Sequence, residues 1–318
     1  MTDSTKLIVS HAPFYRDACT VMKRSYLIMA AALVALIPGW FLFGAPAVGV
    51  SALAVASSIF WELTANTLMK QQPTIGDGNA AMIGLILSML LPATAPWWMV
   101  ITGTFVAIIM SKIAFGGIGG NPFCPPALSA AVLTVSWPHL MNFNGMLVNY
   151  DMAWSMVDPL INVKFFGAET ASLYPPLELL FGHQAGGIGA VCGAGLILGG
   201  IFLMIRGISS WEICLSFLGG VFVAAFLFNM SNPDLYAGPV FHLLTGYTLV
   251  GAFFLATEDS SSPVNLIPML IYGFGGGMLT VLIRNKGVWV DGVLFAVLLM
   301  NLANPILDMI RPKALGKV

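Results

Sequence analysis

Chemically active side chains are sparse in this 318-residue chain, since only 8% of it is Asp, Glu, Lys or Arg. Their positions are therefore informative. Glu62, Glu212, Asp291 and Asp308 fall within or at the ends of long apolar stretches, and Asp77, Glu258 and Asp259 lie at the edges of others. A carboxylate in hydrocarbon is costly and by default marks an ion pathway. The plainer reading is a residue at the membrane interface or beside a cation: Glu212 has Arg206 nearby, and Glu62 has Lys70 two turns on. A second group is the glycine- and proline-rich run from Phe115 to Ala127, with Asn121 at its centre. Glycine lets a backbone approach a ligand closely, proline stops helices, and an Asn amide both donates and accepts. This run is either irregular backbone lining a cavity or a connector with sharp turns. A third group is the polar stretch Asp158–Pro176, where Thr170 and Ser172 offer hydroxyls close to Lys164, Phe165, Phe166 and Tyr174. Such a loop in so apolar a chain suggests function or docking, against a solvated connector with no chemistry. His11, His139, His183 and His242 share no helix face, and Cys19, Cys124, Cys192 and Cys214 form no C-x-x-C pair. Neither set suggests a metal or iron–sulfur site.

The elements that must position these residues are membrane helices. Hydrophobic residues make up 58% of the chain, and 13 Lys and Arg balance 14 Asp and Glu. A water-soluble globule could not cover its surface with so few charges, and a nucleic-acid binder would need a basic excess. The apolar runs predict an all-α polytopic membrane protein of about ten spans: 26–43, 48–69, 79–91, 97–115, 127–143, 185–205, 211–230, 239–256, 264–283 and 288–310. The third is short enough to be tilted, broken or re-entrant. No cleavable signal peptide is expected, so the first apolar run stays as an anchor. Ten Lys and Arg fall on the side of the N-terminus and three (Lys164, Arg284, Lys286) on the other. That bias predicts both termini in the cytoplasm and the 144–184 stretch outside, with the short connection bearing Arg284 and Lys286 drawn into the protein.

Ten spans divide into two sets of five, which an odd count forces into opposite orientations. The boundaries are a segment at 1–25, a first repeat at 26–143, the external loop at 144–184, a second repeat at 185–310 and a tail at 311–318. Lys112 near the end of the fourth span corresponds to Arg284 near the end of the ninth. Asn121-Pro122 and Asn304-Pro305 follow, and glycines cluster at 116–120 and 273–277. A ligand site is expected between the halves, lined by broken helix ends.

Several segments, in order, resemble the family that joins the D subunit of the Rnf complex and the B subunit of the sodium-pumping NADH:quinone reductase. They are residues 77–92 with Ala95-Pro-Trp-Trp98, and 112–125 with its Gly-Gly-x-Gly-x-Asn-Pro-Phe core. Next come Leu198-Gly-Gly-Ile-Phe202, Ser210-Trp211 and Ser216-Phe-Leu-Gly219. The last are His242-Leu-Leu-Thr-Gly246, Gly251 to Thr257 with Ser262-Pro263, and Leu282-Ile-Arg284 through Leu299-Met-Asn301. The shorter N-terminal part makes the chain more similar to the Rnf protein.

The resemblance implies ten helices in two inverted five-helix repeats, urea-transporter-like, in the bacterial inner membrane. It implies FMN joined through its phosphate to a threonine on the outer side by a flavin transferase. The matching stretch is Gly167-Ala-Glu-Thr170, which makes Thr170 the expected attachment residue and Ser172 the second choice. Glu169 stands where the family favours a small residue, and Cys124 where it usually has Asn. An exposed hydroxyl suits a phosphoester, Lys164 could offset phosphate charge, and Phe165, Phe166 or Tyr174 could pack on the ring. Asn121 joins Thr170, Lys164 and Tyr174 as an expected cofactor-binding residue. A second, non-covalent riboflavin or FMN is left open. The implied function is the membrane subunit of an ion-translocating ferredoxin:NAD⁺ oxidoreductase (Rnf) complex, passing electrons through the covalent FMN and coupling them to Na⁺ or H⁺ movement. The implied partners are the other Rnf proteins: the periplasmic flavin-bearing G subunit, the A and E membrane subunits, and the peripheral iron–sulfur and NAD-binding subunits. The rivals are a solute channel of the same fold without flavin, and a scaffold subunit that has lost its flavin.

Overall fold

A computed structural model describes residues 20–70, 74–143 and 157–310. His11 and Cys19 lie outside the described residues. All regular structure among the described residues is helical, and the protein is a multi-pass membrane protein. Among the described residues five helices are long and apolar enough to cross a membrane: α1 (Val21–Phe43), α2 (Ala45–Leu68), α4 (Trp97–Phe115, with a π turn at Val106–Met110), α9 (Trp211–Ser231) and α12 (Leu266–Lys286). Shorter apolar helices are α3 (Asn79–Leu90), α5 (Pro125–Ser136), α8 (Gly193–Ile205) and α13 (Val293–Leu307). The region expected as an eighth span is divided into α10 (Pro239–Leu244) and α11 (Thr248–Val250), and α11 runs on into a π turn at Gly251–Leu255. Between the two lies Gly246, at φ +64°. A Cβ there would crowd Asp291 Oδ2, so both the turn and the neighbouring carboxylate demand glycine.

Local signals explain the boundaries. Thr20 caps α1 by accepting from Lys23 N at 3.2 Å, and Gly44 alone separates α1 from α2. Prolines at the first positions start α2, α5, α6 (Pro159–Phe166) and α7 (Pro176–Phe181). Packing then depends on small residues. Across α1 and α8, a Cβ on Gly195 would lie 2.8 Å from Val34 O and one on Gly199 2.6 Å from Ala31 O. Across α9 and α12, a Cβ on Gly277 would run into Phe217 O and one on Gly220 into Phe274 O. Backbones this close gain dispersion contacts that lipid cannot offer. α5 packs on α13 as α1 packs on α8. Large apolar side chains such as Phe41, Phe60, Leu215, Phe222 and Leu282 face outward, as a lipid-solvated surface requires.

Two expectations are corrected. The stretch read as a span from residue 185 does not become helical until Gly193; residues 185–192 are irregular and almost wholly buried. They are anchored on the end of α3, where Ile188 N donates to Leu91 O and Gly189 N to Met89 O, both at 3.1 Å. A Cβ on Gly187 would meet Met89 O at 2.5 Å, which is why glycine stands where a helix would otherwise continue. The stretch read as a polar loop is ordered over 157–184, as α6, a 3₁₀ turn at Ala168–Leu173, and α7.

Candidate functional site

Thr170 sits in the 3₁₀ turn that follows α6. Gly167 opens that turn at φ +90°, and Ala168 N donates to Asp234 O at 2.9 Å, tying the turn to the segment after α9. Thr170 is half-buried, and its Oγ1 donates to Gly167 O at 2.8 Å. Ser172, more exposed, donates to Glu169 O at 2.6 Å. Phe165 and Phe166 precede the turn with 72% and 73% of their surfaces exposed, so both rings are available to a neighbour.

Lys164 and Tyr174 are already engaged. Lys164 Nζ donates to Gly287 O at 2.8 Å and Trp289 O at 2.7 Å, fastening α6 to the turn between α12 and α13. Partial burial lowers its pKa. Tyr174 is buried among Leu160, Val163, Leu179 and Phe241. Its hydroxyl accepts from Asn162 Nδ2 at 2.8 Å and donates to Val157 O at 3.1 Å. Asp158 caps α6 by accepting from Leu160 N at 2.9 Å. Burial pushes its carboxyl up to about 7, against the opposing pull of that backbone N–H.

Asn121 does not join this cluster. It lines a cavity of about 450 Å³ whose walls include Arg24, Asn79, Lys112, Glu258 and Asp308. α1 measures the separation: Arg24 is at the cavity, while Leu42 lies against Gly182 beside α7. Eighteen residues at a helical rise of 1.5 Å put the two regions about 27 Å apart. Asn121 Nδ2 donates to Glu258 Oε1 and Phe123 O, both at 3.1 Å. Glu258 Oε2 also accepts from Ser261 N at 3.0 Å. At the rim Arg24 pairs with Asp259 and donates to Ile208 O at 2.6 Å. Burial raises the Asp259 carboxyl, and the Arg24 charge opposes the rise.

Two ion pairs were not legible as pairs. Glu62 is joined to Lys112, 2.6 Å away and fifty residues on; Lys70, expected beside Glu62, is exposed. Arg284 is drawn inward as expected, onto Asp291 at 3.0 Å and the carbonyls of His242 and Thr245. His242 is buried, with neither ring nitrogen bonded among the described residues.

Buried charges inside apolar helices, irregular backbone at helix breaks and a largely apolar cavity with a few polar groups in its wall define a class: a multi-pass membrane protein that holds ion pairs inside its helix bundle. The model of the NQR2, RnfD, RnfE family matches residues 8–316, and the chain belongs to that family. It is 34% identical to the D subunit of the Na⁺-translocating ferredoxin:NAD⁺ oxidoreductase complex of Acetobacterium woodii, over 95% of this chain and 92% of that one. It is 33% identical to the D subunit of the proton-translocating ferredoxin:NAD⁺ oxidoreductase complex of Clostridium ljungdahlii, over 94% and 93%. It is 36% identical to the D subunit of the ion-translocating oxidoreductase complex of Pseudomonas paraeruginosa, over 92% of each.

Proposed function

We propose that this chain is the D subunit of an ion-translocating ferredoxin:NAD⁺ oxidoreductase complex of the bacterial inner membrane, with FMN esterified through its phosphate to Thr170. The observation that carries the flavin reading is the Thr170 turn. Its hydroxyl is only half-buried and held by one local hydrogen bond, so an ester at Oγ1 costs the fold little. Phe165 and Phe166 offer exposed faces beside it, while Tyr174 and Lys164 hold the platform from beneath. The bound flavin supplies electron transfer; the chain supplies position and a local dielectric. Lys164 contributes positive charge near the phosphodiester.

The cavity on the opposite side of the helix bundle suits a second, non-covalent flavin. Its volume lies in the range of small-ligand sites, and Asn121, Asn79 and Arg24 supply polar edges. In this reading the cavity faces the cytoplasm, as do both termini, and the Thr170 turn faces the periplasm. The ten segments form two inverted halves. Supporting this, α1 meets α8 and α5 meets α13, as symmetry mates would, and the buried cations Lys112 and Arg284 close corresponding helices. The partners are the flavin-bearing G subunit, the A and E membrane subunits, and the peripheral iron–sulfur and NAD-binding subunits. Co-expression with a flavin transferase followed by mass spectrometry of the Thr170 peptide tests the attachment.

A further inference from the structure

Beside α12 one buried ion pair is closed. Arg284 spends Nε and Nη2 on Asp291, and Nη1 and Nη2 on the carbonyls of His242 and Thr245. Asp291 also accepts from Tyr247 N at 2.7 Å and Val293 N at 3.1 Å. The pair is neutral as a unit and serves as a fixed lock. The charge left over next to it belongs to Lys164. An ammonium has three N–H donors and no acceptor. Lys164 Nζ donates to Gly287 O and Trp289 O, both neutral, and pairs with no carboxylate among the described residues.

Lys164 and Arg284 line a cavity of about 70 Å³ with His242, Asn285, Leu160 and Val290, and no acidic residue lines it among the described residues. His242 is 2% exposed, and neither its Nδ1 nor its Nε2 has a partner among the described residues. Asn285 Nδ2 is buried and equally unpartnered there. Buried donors without acceptors are costly. Water could serve them one by one, but it would leave the ammonium without a counter-charge. We propose that this cavity is a binding site for one small monovalent anion of the halide class. The Lys164 ammonium supplies the counter-charge, and Asn285 Nδ2 and the neutral His242 ring N–H donate to the anion. Arg284 is already balanced by Asp291, so one uncompensated positive charge meets one negative charge. A divalent anion would bring a second charge with nothing to pair it in a wall that is partly apolar. The space is well below that of the sites that hold cofactors or other drug-sized ligands, about 300 Å³ and more. Lys164 comes from α6, His242 from α10 and Asn285 from α12. The anion therefore fastens the helix that carries the Thr170 turn to the bundle beneath it.

The inference does not depend on the flavin. Its test is thermal unfolding of the full-length chain in detergent, with sodium chloride or sodium bromide replacing sodium gluconate at constant Na⁺ and ionic strength. Gluconate is too large for the cavity. The wild-type midpoint should rise by about 2–4 °C in either halide, and the rise should vanish in Lys164→Met. A wild-type midpoint indifferent to halide overturns the site. So does an equal rise in Lys164→Met, the response of a cavity holding water only. Should Lys164→Met fail to fold, Asn285→Leu replaces it, because Nδ2 has no partner to lose; an undiminished halide response in that variant overturns the site. The response should also persist in Thr170→Ala. A response confined to Thr170→Ala and absent from flavin-bearing protein would give the cavity to the flavin phosphate and overturn the halide site. Absence of flavin from wild-type protein that keeps its halide response would count against the flavin reading alone.

Discussion

The Tyr247 hydroxyl donates to the carbonyl of Leu90 at 2.7 Å, joining residues 157 positions apart. Leu90 ends α3, so its carbonyl lacks an intrahelical partner, and Tyr247 supplies one where water cannot. Tyr247 N in turn donates to Asp291 Oδ2. One residue thus ties the end of α3 to the Arg284–Asp291 lock. Tyr247→Phe should leave the Leu90 carbonyl unsatisfied and cost about 1–3 kcal/mol. Thermal unfolding of purified protein in detergent checks this; an unchanged midpoint would show that the bond contributes nothing.

Removing one partner of the closed ion pair should cost more. Asp291→Asn strands the Arg284 guanidinium, 2% exposed, without its counter-charge. Breaking a buried pair in this way costs about 3–5 kcal/mol. The expected outcome is a large fall in thermal midpoint or loss of assembled complex, read by native gel and unfolding. A midpoint within error of wild type would contradict the lock.

The α9–α12 contact sets a steric limit. A Cβ on Gly277 would run into Phe217 O, a backbone atom that cannot swing away. Gly277→Ala should force the helices apart and reduce assembly. Gly219→Ala on α9, whose Cβ would meet nothing within 4 Å, should behave as wild type. Equal stability of the two variants would contradict the packing.

Asp158 gives a pH signature. Its carboxyl is raised from 3.8 to about 7 on folding, chiefly by burial. The folded protein therefore holds a proton that the unfolded chain has released. Its contribution is fully present below about pH 4 and is lost as pH rises through about 7. Asp158→Asn retains an N-cap side chain for Leu160 N but has no proton to lose. Thermal midpoints measured from pH 4 to 8 should fall more steeply in the wild type than in this variant; parallel curves would contradict the assignment.

Hydropathy alone made α1, α2, α4, α9 and α12 legible, because a lipid-facing helix must be apolar along its length. The shortness of α3 was legible too, since Gly78 and Pro92 bound it. Residues 185–192 were not: Gly186, Ile188 and Val191 are as apolar as any span, and only tertiary contact with Met89 and Leu91 shows that they are not helical. The Lys112–Glu62 pair was hidden for another reason. Lys70 lies eight residues from Glu62 on a helix-like spacing, whereas Lys112 reaches it only through the packing of α2 against α4. Around Thr170, the expected attachment residue, nothing in the sequence told that Tyr174 would be buried and Phe165 and Phe166 exposed.

The most direct test of the account is the mass of the peptide carrying Thr170, from protein co-expressed with its flavin transferase. The expected result is one FMN less one water on that peptide, lost in Thr170→Ala while the protein remains folded. An unmodified peptide from a complex that still transfers electrons at the wild-type rate would contradict it.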